Sequence, residues 1–336
     1  MNSKRLILIA FLAISTLTLR AQNDLDNAIQ GSVADANYIL KGYATPLMKV
    51  MGYGLNQGWY NTAAPHKVAG FDLTITGSAV YFPTSDLYYS VDNSKMKNVA
   101  VVSPTPVGGI ASVPTIVGPD KAPTYQNTNT GAQFTGPAGL DVKGNIGGNY
   151  LPVPMVQLGF GLPKGIDIKL RYMPKTNIGD NGAINAFGLG VMHDIKQYIP
   201  GLKNLPFDLS GFVGFTKLKL DVGLDKSKPD QHAIFEANTT TIQGLISKKI
   251  AVLTVYGSLG YNIAKTNLAM LGNYEFQNPS PAPPTVVKDP VKFDVTSNGM
   301  RATGGLRLKL AIFTFHADYT LQKYNVLTVG FGINVR

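Results

Sequence analysis

LPVPMVQLGFGLPKGIDIKLRYMP, residues 151–174, decides how the rest of the chain is read. It divides into two arms about Leu162-Pro163-Lys164-Gly165. In the second arm Ile166, Ile168, Leu170 and Tyr172 alternate with Asp167, Lys169, Arg171 and Met173, so a β-strand sends the first set to one face and the charges to the other. A two-faced strand of this kind suits either a soluble sheet packed on one side or a membrane barrel that is apolar outside and polar inside.

Similar stretches recur to the C-terminus. Alternation predicts strands over 68–82, 151–161, 166–173, 183–193, 207–222, 232–247, 250–263, 291–308, 312–321 and 325–335, with weaker candidates at 88–91 and 99–102. Several exceed the five or six residues usual in globular sheets and match the roughly nine to eleven that a tilted strand needs to cross a bilayer. The connections sort by parity. With strand 68–82 running outward, residues 83–150, 174–182, 223–231, 264–290 and 322–324 fall outside, and 162–165, 194–206, 248–249 and 309–311 fall in the periplasm. The two longest, richest in Pro and Asn, are both outside, which is the asymmetry of outer-membrane barrels and has no cause in a soluble sandwich. The expected fold is therefore an all-β transmembrane antiparallel barrel of ten strands, with up to fourteen if the long loop hides further hairpins. Residues 103–149 read as loop, and 194–206 as a short helical turn covering the lower rim.

The first residues carry their own signals. Lys4 and Arg5 precede an apolar run of about 14 residues, shorter than the roughly 20 of a spanning helix, and Ala21 offers a cut site, so residues 1–21 are expected to be a signal peptide. Cleavage would lower the formal charge from +10 to +7. The chain has no cysteine, which removes disulfides and thiolate chemistry. Residues 24–40 predict a short amphipathic helix. After it, Gly52, Gly54 and Gly58 break an apolar run too often for one long helix, so residues 22–66 are expected to form a compact plug inside a barrel of residues 67–336.

Charges alternating with lipid-facing residues must point inward, because Lys or Arg facing lipid at mid-depth costs roughly 2 to 4 kcal/mol. A lumen carrying Lys169, Arg171, Lys217, Lys219, Arg301, Arg307 and Lys309 would attract anions, although some of these are expected only to pair with Asp167, Asp221 and Asp318. Enzymatic motifs are missing: His66, His193, His232 and His316 stand apart, and there is no HExxH, GxSxG or P-loop. No catalytic residue, metal or cofactor is therefore expected. Paired strand glycines such as Gly188 and Gly190 are expected to make room on one face. Nucleic acid is not an expected partner, because the positive charges are dispersed through strands.

The runs at 58–74, 151–175 and 188–220, including GWYNTAAPHKVAGFDLT, resemble an uncharacterised family of Bacteroidetes outer-membrane proteins known as a domain of unknown function. In architecture alone, a plug ahead of a barrel is similar to the FadL-type transporters of fatty acids and aromatic hydrocarbons. That resemblance implies passive uptake of a hydrophobic ligand. The expected function is a passive channel or transporter for small hydrophobic or amphipathic anions such as fatty acids. Met48, Met51, Tyr53 and Trp59 would line an apolar pocket at the plug, while Arg171, Lys217, Lys219, Arg301 and Arg307 would attract the headgroup. Outer-membrane lipid and the ligand are the expected partners. The alternative is a structural barrel serving as a surface anchor or as part of a secretion or gliding complex, with a protein partner.

Overall fold

The computed structural model describes residues 32–179, 181–276 and 285–335. The expected signal peptide and residues 22–31 of the expected plug lie outside the described residues. Helix α1 (Val33–Gly54) and strand β1 (Phe71–Tyr81) come first. Five short strands follow, β2 (Tyr88–Asp92), β3 (Val99–Ser103), β4 (Ile110–Pro114), β5 (Thr124–Asn127) and β6 (Gln133–Thr135), with a one-turn helix α2 (Val142–Ile146). Long strands then run as β7 (Tyr150–Leu162), β8 (Ile166–Ile178), β9 (Gly182–Asp194), β10 (Asp208–Asp225), β11 (Lys228–Ile250) and β12 (Leu253–Leu271). A small hairpin of β13 (Asn273–Phe276) and β14 (Thr285–Lys288) precedes β15 (Val291–Thr296), β16 (Gly299–Leu310), β17 (Phe313–Leu321) and β18 (Val326–Val335).

The main sheet runs β11-β10-β9-β8-β7-β1-β18-β17-β16-β12, and β12 pairs back onto β11, so the sheet closes on itself. Strands β15 and β16 both lie along β12 in one register, Lys265 opposite Thr296 and Asn262 opposite Gly299, and thus form one wall strand interrupted at Ser297 and Asn298. The barrel is therefore ten antiparallel strands around, and closure joins its two end strands so that, apart from the outer side of β15, the ring has no free edge. The candidate strands at 88–91 and 99–102 do form, as parts of β2 and β3, but outside the ring. The expected loop at 103–149 instead supplies β4, β5 and β6 to two small sheets, β2-β4 and β3-β5-β6. At one end the ring's sequence-adjacent strands meet in short turns, among them 163–165, where Lys164 and Gly165 both take positive φ, and in the longer connection 195–207, which holds a helical turn at Lys196–Tyr198. At the other end lie the long connections 82–149 and 272–290. The connections expected at 174–182 and 223–231 at that end are tight hairpins instead, because β8 extends to Ile178, β10 to Asp225 and β11 begins at Lys228.

Alternation sets the two faces. Strand β17 is exposed and buried in strict turn, with Phe313, Phe315, Tyr319 and Leu321 outward and Thr314, His316, Asp318 and Thr320 inward. Leu73 and Ile75, Leu158 and Phe160, Leu189 and Val191, Val213 and Phe215, Val255 and Leu259, and Val329 and Phe331 continue the exposed apolar surface around the ring. Such a surface far exceeds the few hundred Å² a monomer leaves in water. Nine residues at about 3.4 Å each, tilted by about 45°, make a belt about 20 Å tall, close to the ~25 Å band of membrane barrels. No helix of the described residues is long and apolar enough to cross a membrane, which says nothing against crossing by strands.

The inward face changes character along the strands. Near the turn end it is polar, with Asp72, Thr74, Thr76 and Ser78 on β1, and near the loop end it is apolar, with Val80 on β1 and Leu218, Leu220 and Val222 on β10. Helix α1 fills the apolar half, its Ala36, Ile39, Tyr43, Leu47, Met48 and Val50 joining one core with the wall and the small outer sheets. This corrects the expectation of a short helix followed by a broken segment. One 22-residue helix runs through Gly42, Pro46 and Gly52. The glycines serve close packing: a Cβ at Gly42 would come within 2.2 Å of the Tyr89 ring, and one at Gly54 within 2.7 Å of Val153. The same apolar half corrects the placement of Lys217 and Lys219. With Leu218 and Leu220 turned into the core that α1 shares, both lysines point outward, Lys219 lying 4.0 Å from Asp221 on that outer face. They sit loopward of the belt residues Val213 and Phe215, where an outward charge meets water or headgroups instead of acyl chains.

Candidate functional site in the barrel lumen

The chain N-terminal to β1 travels the length of the lumen. Asn37 near the start of α1 donates to Pro290 O and accepts from Lys292 N at the loop end, and Asp35 accepts from the amides of Lys97, Asn98 and Val99 in the outer sheets. Past the helix, residues 55–70 descend through the polar half. They reach the turn end, where Ala69 N bonds Gly161 O and β1 begins.

Two arginines hold this segment just below the helix. Arg171 donates from Nη1 to Leu55 O at 2.8 Å, from Nη2 to Gln57 O at 2.5 Å and from Nε to Gln157 Oε1 at 3.2 Å. Arg301 donates from Nη1 to Asn56 O at 2.9 Å and from Nη2 to Gln57 Oε1 at 2.7 Å. Their strands, β8 and β16, stand five places apart in the ten-strand order, on opposite sides of the barrel. Three successive carbonyls, at Leu55, Asn56 and Gln57, are thus gripped from both walls. The location has a physical reason. A helix C-terminus carries unpaired carbonyls and the negative end of the dipole, which favour cations, and the last turn of α1 has no basic residue of its own. The wall supplies the charges instead. Neither guanidinium has a carboxylate within ion-pair distance among the described residues, so carbonyl and amide oxygens carry their pairing.

Below the grip lies an aromatic layer. Trp59 packs with Tyr60, Ala63, Met192, Phe212, Leu245 and Tyr256, and the Arg171 guanidinium stacks 3.5 Å from the Trp59 ring centroid. Gly190 and Gly214 face each other across β9 and β10, and a Cβ on either would come within 3.0 Å of the indole. Space for Trp59 is therefore built into the wall. Tyr53 stacks on Tyr324 at 5.3 Å, and Met48 and Tyr53 are fully buried with Met51 packed against the same core. These four residues fill the lumen instead of lining an open pocket beside the helix.

At the turn end the lumen opens into a cavity of about 240 Å³ beneath residues 58–67. One wall, on β8 and β1, carries an ionic network: His66 lies 2.9 Å from Asp167 and 3.5 Å from Asp72, Lys169 Nζ donates to Asp167 at 3.3 Å, and Thr74 donates to Asp72 at 2.5 Å. The facing wall presents Arg307 and Lys309 on β16 and Lys249 on β11, and Asp208 on β10 lines the cavity as well. Among the candidate headgroup residues, the structure brings Arg171, Arg301 and Arg307 into one lumen and leaves Lys217 and Lys219 on the outer face. Gln57, Gln157, His66 and Lys249 belong to this lumen without having been singled out from the sequence. Only their inward parity or their place after the helix could have pointed to them. Among the described residues no group of three or more His, Cys, Asp or Glu is arranged to hold a metal ion.

Several solved barrels show a partial likeness. The ferric-catecholate import receptor Fiu of E. coli K12 aligns with 76% of this chain at 10% identity and a TM-score of 0.27, and the chain spans only 50% of its length. The toluene transporter TbuX of Ralstonia pickettii aligns over 87% of this chain and 93% of its own at 9% identity and a TM-score of 0.22. A deltaS2S3 mutant of TodX, the monoaromatic hydrocarbon channel known from P. putida, aligns over 80% of this chain and 68% of its own, with 8% identity and a TM-score of 0.26. At these scores the likeness carries no argument about this chain, whose barrel stands on its own hydrogen-bonded ring. No curated protein matches the sequence. A family model does match, over residues 1–335, and the chain accordingly belongs to the family of unknown function DUF6588.

Proposed function

We propose that this protein is a non-enzymatic outer-membrane barrel that passes small hydrophobic or amphipathic anions, such as fatty acids, when its N-terminal segment shifts. In this reading the loop end faces the exterior and the turn end the periplasm. The observation that carries it is the lumen's grading, apolar around α1 and cationic around Arg307, filled by a segment that is no part of the ring. An acyl chain could replace the contacts of Met48, Met51, Tyr53 and Trp59. Arg171 and Arg301, released from Leu55, Asn56 and Gln57, would offer their donors to a carboxylate, which matches a guanidinium fork. Lys217 and Lys219 would draw anions toward the outer mouth.

The grip of two buried arginines on three carbonyls favours a second reading, a sealed structural barrel serving as an anchor or as part of a larger complex. A disulfide separates the two. A Cβ on Gly52 would lie 3.2 Å from Ser297 Cβ, a few tenths of an ångström inside the usual 3.5 to 4.5 Å of a disulfide, and the chain has no other cysteine. With G52C/S297C in liposomes, uptake of a labelled fatty acid should be lost on oxidation and regained on reduction. Equal uptake in both states overturns gating by the plug. No uptake by the wild type, with a stoichiometric protein partner retained in mild detergent, leaves the structural reading.

A further inference from the structure

We propose that Arg307, flanked by Lys309 and Lys249, is the anchor of a binding site for one oxyanion, a carboxylate or phosphate group, at the turn end of the lumen. The site rests on the cavity and not on passage, and it would fill whether or not the plug moves.

Arg307 is 8% exposed and lines the cavity, yet among the described residues it has no hydrogen-bond or ion-pair partner, and its Nε is buried with no acceptor. A guanidinium presents five donors in a rigid plane, and burying it unpaired is costly. The other lumenal arginines, 171 and 301, by contrast donate from both Nη1 and Nη2 to oxygens of the plug, although the Arg301 Nε is likewise buried without an acceptor. Neighbouring groups cannot supply the missing acceptor. Asp72, whose charge reaches Arg307, is beyond ion-pair distance and is engaged by Thr74 and His66, while Asp167 is held by Lys169 and His66. The residues beside Arg307 on the ladder are Thr254 and His316, and the His316 Nε2 is itself buried without a partner. Lys309 bonds Asn334 and lies within electrostatic reach of both Arg307 and Lys249, so three cations share one wall, and Asp208, which also lines the cavity, accepts from Ser247 and is beyond ion-pair distance of all three. An oxyanion between the guanidinium fork and these lysines would complete the pairing, and the fork fits a carboxylate or phosphate through two parallel hydrogen bonds.

Two sources fit this chemistry, a free anion from solution and the headgroup of a lipid entering at the inner rim. The test uses the full chain in neutral detergent at low salt, titrated with inorganic phosphate and with octanoate by calorimetry. Lipid retained from the membrane is read in parallel by native mass spectrometry. The expected result is saturable one-to-one binding that R307Q weakens at least tenfold and D72N strengthens, because it removes the competing carboxylate. Retained lipid lost in R307Q assigns the headgroup as source, and binding of phosphate or octanoate to lipid-free protein assigns the free anion. Folding of each variant is checked by the mobility of the unheated barrel on a gel. The same titration on oxidised G52C/S297C keeps the site distinct from passage, since binding should persist in the locked barrel. Wild-type affinity in folded R307Q, or no saturable binding of phosphate, octanoate or lipid to the folded wild type, overturns the proposal.

Discussion

Arg171→Met should loosen the plug without opening the barrel wall. The substitution removes three donated hydrogen bonds, to Leu55 O, Gln57 O and Gln157 Oε1, together with the contact over Trp59. Hydrogen bonds from a charged donor are each worth about 1.5 to 3 kcal/mol, and a desolvated cation–π contact about 2 kcal/mol. Against that gross loss stands the desolvation of a buried guanidinium, which methionine does not suffer. Leaving three buried oxygen acceptors without a donor costs about 1 to 3 kcal/mol each, and relief of the guanidinium's desolvation offsets part of that, for a net of about 3 to 5 kcal/mol. At about 1.4 kcal/mol per factor of ten, the population with the segment released should rise by roughly two to three and a half powers of ten. A cysteine at Ala63, 1% exposed beneath the grip, reports that population through its labelling by a maleimide, since exchange through brief opening tracks the open fraction. Labelling of A63C should accelerate at least a hundredfold with Arg171→Met, and comparably with Arg301→Met. R307Q should leave it unchanged, because Arg307 touches no carbonyl of the segment. Acceleration below about threefold with Arg171→Met, in a barrel of native gel mobility, would refute the view that this arginine holds the plug.

Three further outcomes follow from the packing. Gly214→Ala brings a methyl within 2.8 Å of both Phe212 and Trp59 and should cost about 1 to 3 kcal/mol in resistance to thermal unfolding, whereas an alanine at Gly77, which has nothing within 4 Å, should be neutral. Ile75→Arg, on the exposed belt, should destabilise the barrel in lipid by about 2 to 4 kcal/mol, measured by urea titration in vesicles, while Lys217→Ala on the outward face of β10 changes it by less than about 0.5 kcal/mol. In intact cells a cysteine at Ser32, at the loop end of α1, should react with a membrane-impermeant maleimide and one at Lys67, at the turn end, should not. The reverse pattern would invert the barrel's orientation.

The wall of this protein is legible residue by residue because a strand imposes a period of two, and lipid punishes any departure from it. Thus Ile168, Leu170 and Tyr172 face out and Lys169 and Arg171 face in, as their alternation predicts, and the ten ring strands follow from the same pattern. Lys217 and Lys219 broke the inference at the point where its premise lapsed. Loopward of the belt no lipid penalises an outward charge, and the apolar face there turns inward to a helix. That helix was misread for a related reason. Glycines that look like breaks in a local pattern, Gly52 and Gly54, are places where Ala264 or Val153 comes too close for a side chain, and only a distant residue can show that. The lumenal arginines mark the same boundary. Their inward direction is a local property, written in parity. That Arg171 and Arg301 meet three carbonyls of their own chain from opposite walls, while Arg307 meets none, depends on which strands lie across the ring. The sequence alone determined a two-faced closed wall and its inward charges, because each strand's faces are set by its own residues. Tertiary structure decided which charges are satisfied, because pairing across a lumen joins residues more than a hundred positions apart.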